Sequence, residues 1–123
     1  MGNPTGKEPT ASFGRLRKRK EIDRVYKVGV RVRGTSILMA AGPGMQTGET
    51  RLALAVGKKY HKSAVERNRL RRLFRASLQR SGWAGPHLDI VLSPLRAGLS
   101  FTEDGCRKEV LELLQEASHK LQS

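Results

Sequence analysis

The chain has 123 residues, enough for one domain of ordinary size, and its 37% hydrophobic residues allow a modest core. Lysine and arginine number 24 against 11 acidic residues, a net charge of +13, which is more than solubility requires and implies a polyanionic partner. No apolar run approaches the roughly 20 residues needed to span a bilayer, the N-terminus lacks the apolar core of a secretory signal, and the single cysteine excludes an internal disulfide. A reducing cytoplasm is the simplest home.

The charge is unevenly placed. Arg15 to Arg80 holds 19 basic and 4 acidic residues, a net of +15, whereas residues 81–123 hold 4 basic and 6 acidic, a net of −2. The first two thirds therefore build the basic surface, and the last third completes the fold.

Residues 1–12 are rich in Gly, Pro, Thr and Ser and read as a disordered tail, leaving 13–123 as one domain. A short helix is predicted from Lys18 to Val28, with Ile22, Val25 and Tyr26 on one face and Gly29 as its stop. Thr35 to Ala41 reads as a strand ended by Gly42-Pro43-Gly44. Arg51 to Gly57 reads as a second, with Leu52, Leu54 and Val56 on one face and Ala53 and Ala55 on the other.

The central helix has the clearest start. Ser63 and Glu66 form an S-x-x-E capping box, Leu70, Leu73, Phe74, Ser77 and Leu78 share one face, and Ser81-Gly82 ends the run. Leu88 to Ser93 is another strand, closed by Pro94. A last helix starting near Thr102 or Glu103 puts Cys106, Val110, Leu113, Leu114, Ala117 and Leu121 on one stripe. The sum is an α+β fold, three helices with a small sheet of three to four strands in the order α-β-β-(β)-α-β-α, read as a two-layer sandwich.

The chemistry concentrates between Lys58 and Arg75. At about 100° per residue, Asn68, Arg71, Arg72 and Arg75 cover the helix side opposite its apolar stripe, with Arg67 and Arg69 flanking. Arg67, Arg71 and Arg75 repel one another at i,i+4 spacing, by ~0.2–0.5 kcal/mol per pair. Phosphate oxygens are the natural counter-charge, because guanidinium forks onto them. After Glu66 the next acid is Asp89, so this is no ordinary mixed-sign solvated face. Arg15, Arg17, Lys18, Arg19 and Lys20 form a second cluster, read as an arm that orders on a nucleic-acid backbone; Lys62, Arg31 and Arg33 add to the basic surface.

Other signals carry less. Gly57-Lys58 is no P-loop, because Leu52 stands where its first glycine belongs. His61, His87, His119 and Cys106 show no metal-ligand spacing, and Cys106 reads as a small core residue. Asp89 reads either as a strand-edge residue or as help in holding a hydrated ion, and Trp83 as a loop anchor.

The stretch K-K-x7-R-N-R-L-R-R-L-F-R, entering a helix straight from a strand, resembles the bacterial ribonuclease P protein family. Arg15 to Ile22 with Arg24-Val25-Tyr26 resembles that family's basic first helix. Gly29 to Gly34 resembles the lead-in to its first strand, and Leu88 to Leu92 with the last helix its C-terminal third. The resemblance implies a left-handed strand–helix–strand crossover. It also implies a partner to a ribonuclease P RNA subunit, which hydrolyses precursor tRNA with Mg2+ bound through the RNA. In that case the protein holds no catalytic residue and no metal motif, needs no membrane and shows no obligate protein partner. It would bind RNA through Arg67, Asn68, Arg69, Arg71, Arg72 and Arg75 with Lys58 and Lys59, and hold the 5′ leader near Tyr26 and Ile22. The family usually has an aromatic at the Ile22 position, so one stacking platform is absent. A ribosomal-type RNA-packing protein and a nuclease with its own active site are the competing readings; the absence of an acidic cluster argues against the latter.

Overall fold

The computed structural model describes residues 13–44 and 49–122; the tail expected at 1–12 lies outside them. Eight elements follow in order: β1 (Phe13–Arg15), α1 (Arg19–Val28), β2 (Val30–Arg33), β3 (Ile37–Pro43), β4 (Thr50–Leu54), α2 (Ala64–Arg80), β5 (Leu88–Pro94) and α3 (Glu103–Gln122). The strands form one sheet in the order β1-β4-β5-β3-β2. β1, β4 and β5 run parallel, while β3 is antiparallel to both β5 and β2. α2 is thus the crossover between the neighbouring parallel strands β4 and β5.

Five strands replace the expected three to four. β1 is too short to show a period, yet it pairs Phe13 with Thr50 and Arg15 with Leu52, and the Leu16 amide continues the ladder to the Leu52 carbonyl at 2.9 Å. β2 alternates Val and Arg, with Val32 buried and Arg31 and Arg33 exposed. β3 starts at Ile37 rather than Thr35 and runs on through Gly42 and Pro43, which pairs with Leu88. Proline is tolerated here because β2 pairs only as far as Ala41, so that side of β3 is an open edge at Pro43. Gly29 ends α1 where no side chain fits, since a Cβ would sit on the Ala41 carbonyl oxygen.

Strand alternation sorts the core. Ile37, Met39, Leu52, Ile90 and Leu92 face α2 and α3, and pack with Phe74, Leu78, Val110 and Leu114. Ala40, Ala53 and Val91 face the other way and meet Leu16, Ile22, Val25 and Tyr26. The two-layer arrangement therefore holds on the larger face, and α1 adds a third, smaller layer opposite. Glu109 braces α3 to the turn before β3, its Oε2 accepting the Ser36 and Ile37 amides at 2.8 Å each. Among the described residues no buried side-chain polar atom lacks a hydrogen-bond partner, and no helix is long and apolar enough to cross a membrane.

Candidate nucleic-acid interface

α2 begins as its sequence predicts, but only half of the capping box forms. The Ser63 hydroxyl accepts the Glu66 amide at 3.4 Å. The Ser63 amide turns instead to His61 Nδ1 at 3.0 Å, and the Glu66 carboxylate lies 3.9 Å from Arg69. The first turn is therefore tied back to the loop before it.

The six side chains of α2 predicted to meet RNA, Arg67, Asn68, Arg69, Arg71, Arg72 and Arg75, divide into two sets. Arg67 Nη1 donates to the His61 and Lys62 carbonyls at 3.0 and 2.8 Å. Arg71 Nη2 donates to the Val56 carbonyl at 2.8 Å, and its Nη1 to Asn68 Oδ1 at 2.6 Å. Both guanidiniums thus bind backbone from residues 56–62 and hold the loop that displays Lys58, Lys59 and Lys62, all exposed. These bonds also give the repulsion expected among Arg67, Arg71 and Arg75 an internal counterpart in carbonyl dipoles. Arg72 and Arg75 make no ion pair among the described residues, and Arg69 makes only the loose one to Glu66. Of the six, these three remain open to an external anion, while Arg80 at the end of α2 lies 3.7 Å from Glu103.

The second cluster also differs from its expected form. Arg15 ends β1, and Arg19 and Lys20 open α1, so most of this segment is ordered inside the fold rather than left as an arm. Arg15 shares a cleft of about 180 Å3 with Arg75, Phe13 and Leu78, which joins it to the α2 surface. Arg17, Lys18, Arg19 and Lys20 are exposed beside α1.

On the opposite face of the sheet, Ile22 and Tyr26 are half-buried against Val25, Ala40 and Val91, so each contributes to packing and keeps part of its surface in solvent. The Arg31 guanidinium lies over the Tyr26 ring, 5.3 Å from its centre, a cation–π contact. Arg33 is exposed further along β2.

One arrangement was not foreseen. Arg51, on β4, is buried and forks onto Asp89 of β5, Nε to Oδ1 at 3.0 Å and Nη2 to Oδ2 at 2.9 Å. Its Nη1 reaches Glu21 of α1 at 3.1 Å. Asp89 is therefore neither an edge residue nor an ion holder but half of a buried pair. Hydrogen bonding to Asp89 raises the Arg51 pKa above its ordinary value, with burial opposing and Glu21 helping. A raised value means that the guanidinium's contribution is complete below the ordinary arginine range and is lost only as pH rises beyond it. The signal available in sequence was an arginine and an aspartate, each in an apolar strand. Linking them required knowing that β4 and β5 are parallel with Arg51 opposite Asp89.

Trp83 anchors its loop, donating from Nε1 to the Pro86 carbonyl at 3.0 Å. Cys106 is buried, and burial pushes its thiol pKa up. Among the described residues no group of three or more His, Cys, Asp or Glu is placed to hold a metal ion.

Fold and surface together define a small α+β protein built to present one strongly cationic helix. The structure resembles RNase P protein from Thermotoga maritima, with a TM-score of 0.71 at 25% identity over 83% of this chain and 96% of that one. Against Staphylococcus aureus RNase P protein the TM-score is 0.72 at 22% identity, over 84% and 94% of the two chains. A ribonuclease P protein component from Coprothermobacter proteolyticus is 34% identical over 102 residues, 83% of this chain and 82% of its own. One from Pseudanabaena is 36% identical over 85 residues, 69% of this chain and 65% of its own. The family model described as Ribonuclease P matches residues 11–118. The chain belongs to the ribonuclease P protein family.

Proposed function

We propose that this protein is the RNA-binding subunit of a ribonucleoprotein that removes the 5′ leader of precursor tRNA in the cytoplasm. Its partners are a ribonuclease P RNA and the precursor. Hydrolysis belongs to the RNA, with magnesium ions held there, and the protein's part is endonucleolytic assistance by docking and leader positioning. The observation that carries this reading is the cationic surface of exposed Arg69 and Arg72 and half-buried Arg75, continued by exposed Lys58, Lys59 and Lys62 on a loop fixed from within by Arg67 and Arg71. Preset cations meet a phosphate backbone without first having to be ordered. Tyr26, capped by Arg31, offers a ring and a guanidinium plane, both of which stack on unpaired bases.

The test is reconstitution with a bacterial ribonuclease P RNA at low magnesium, scoring precursor cleavage with and without the protein. The wild-type chain should stimulate cleavage. Arg72→Gln with Arg75→Gln should weaken RNA binding and flatten its log–log salt dependence by roughly 0.7–0.9 per lost phosphate contact. An absent stimulation, an unchanged slope, or cleavage by the protein alone would overturn the reading.

A further inference from the structure

The segment between β5 and α3 (residues 95–102) folds over the first half of α2 and leaves a cavity of about 460 Å3 beneath it. That volume is within the range of sites that take small organic groups. One wall is aromatic: the Tyr60 and Phe101 rings lie 6.2 Å apart, tilted by 58°. Phe101 in turn meets the buried Phe74 edge-on at 5.5 Å, so the aromatic wall is anchored in the core. The rim is polar, with Glu66, His61 and Arg69.

The cavity is held open by its own bonds. The Tyr60 hydroxyl donates to the Leu99 carbonyl at 3.1 Å, pinning the overlying loop. Gly98 turns that loop at φ +79°, a conformation side-chain-bearing residues rarely adopt. A second hollow of about 330 Å3 shares Arg69, Leu73 and Phe101 and continues past Arg72 to Arg80. Arg69, Arg72, Ala76 and Arg80 stand three, four and four residues apart, hence along one side of the helix over about 17 Å. Two hollows thus make one trough, with an apolar and aromatic floor, the Arg69 and Arg72 guanidiniums along its wall, and Arg80 paired with Glu103 at 3.7 Å at its far end.

A phosphate alone has no use for two aromatic rings, and an aliphatic group has none for the Arg69 and Arg72 guanidiniums. A planar base on an anionic backbone uses both. Glu66 also stands where it can accept a hydrogen bond from a base amino or imino group. We infer that the trough takes an unpaired nucleotide of the RNA seated on α2, its base in the cavity beside Tyr60 and Phe101 and its phosphates on Arg69 and Arg72. This rests on the reading of α2 as an RNA surface and adds to it a base-sized pocket on that helix.

Ser100 is exposed and lines the cavity mouth, so Ser100→Trp fills the space without touching the core. Its thermal midpoint should match the wild type, while its affinity for a bacterial ribonuclease P RNA should fall about tenfold, within what loss of one stacked base costs. In a second measurement, the wild-type protein is irradiated with that RNA carrying 4-thiouridine or 6-thioguanosine, and the adducts should map to Tyr60, Leu99 or Phe101. Unchanged affinity of Ser100→Trp, or adducts confined to other surfaces, would overturn the inference. So would an oligoglutamate that competes as well as an oligonucleotide of equal charge, because charge and not a base would then be read. Arg75→Gln separates the two levels, since Arg75 lines the cleft with Arg15 and not the trough. If it weakens binding and Ser100→Trp does not, the pocket alone is lost; if neither does, the RNA reading of α2 falls with it.

Discussion

The two faces of the sheet are built on different terms. Among the described residues, a cluster of 17 buried apolar residues that includes Phe74, Ile37, Met39 and Leu114 lies toward α2 and α3. Toward α1 only four are buried, Leu16, Val25, Ala40 and Val91, and two of the strand positions on that side are Arg51 and Asp89. The thick face can carry the stability of the domain by burial. The thin face is locked by directional bonds, and its small alanines leave Tyr26 and Arg31 at the surface. The exposed ring and guanidinium and the main core thus lie on opposite faces of the sheet, separated by strand parity. α2 serves both, with its inward stripe in the thick core and its outward side cationic.

The most severe way to break that comparison is Asp89→Ala. It leaves the Arg51 guanidinium buried with Glu21 as its only carboxylate partner, and breaking such a pair costs about 3–5 kcal/mol. Denaturant unfolding should show this loss, and Arg51→Met with Asp89→Leu should recover much of it, because an apolar pair of similar volume needs no counter-charge. A loss below about 1 kcal/mol, small on the scale of buried pairs, would show that the thin face does not depend on the triad.

These charges also mark where sequence reading stops. α1, α2, β5 and α3 are legible because each announces itself locally, by a 3.6-residue stripe, a cap, or an apolar run before a proline. β1 is not, since Phe13-Gly14-Arg15 has no period and gains its identity only beside Thr50–Leu52. Pro43 reads as a stop and is still a strand residue, because its end of β3 needs no amide there. In the site, the helical wheel finds the outer side of α2 correctly. It cannot see residues 56–62 folding back to take up Arg67 and Arg71, nor the segment before α3 closing over Tyr60. Local pattern gives the direction of a side chain; which of two partners it meets is decided by chain segments far away in sequence.

A milder change sharpens the functional half of the contrast. Tyr26→Ala removes the ring beneath Arg31 and should weaken binding of a precursor with a single-stranded leader by about 1–3 kcal/mol, the worth of one base–aromatic stack. Binding of the same tRNA without a leader should change far less. Equilibrium titration of both RNAs decides it: equal losses would reduce Tyr26 to packing against Val25 and Ala40.

The smallest effect belongs to the thick face and reads its dryness. Cys106 of α3 is buried, and its thiol pKa is raised above the ordinary 9.0 by burial first, with Glu109 adding and a hydrogen bond to Ser77 opposing. In the folded protein the thiol therefore holds its proton to higher pH than in the unfolded chain. The stability linked to it is complete below 9.0 and is lost as pH rises through the folded-state value, with a slope of at most about 1.4 kcal/mol per pH unit for one proton. Cys106→Ala should carry a constant packing penalty and lack this slope. The difference between the two proteins, measured by denaturant unfolding from pH 8 upward, therefore shrinks as pH rises. Every other titratable group is common to both chains, so its contribution cancels in the difference. A pH-independent difference would mean that solvent reaches the thiol, and that the α3 side of the sheet is less sealed than its packing shows.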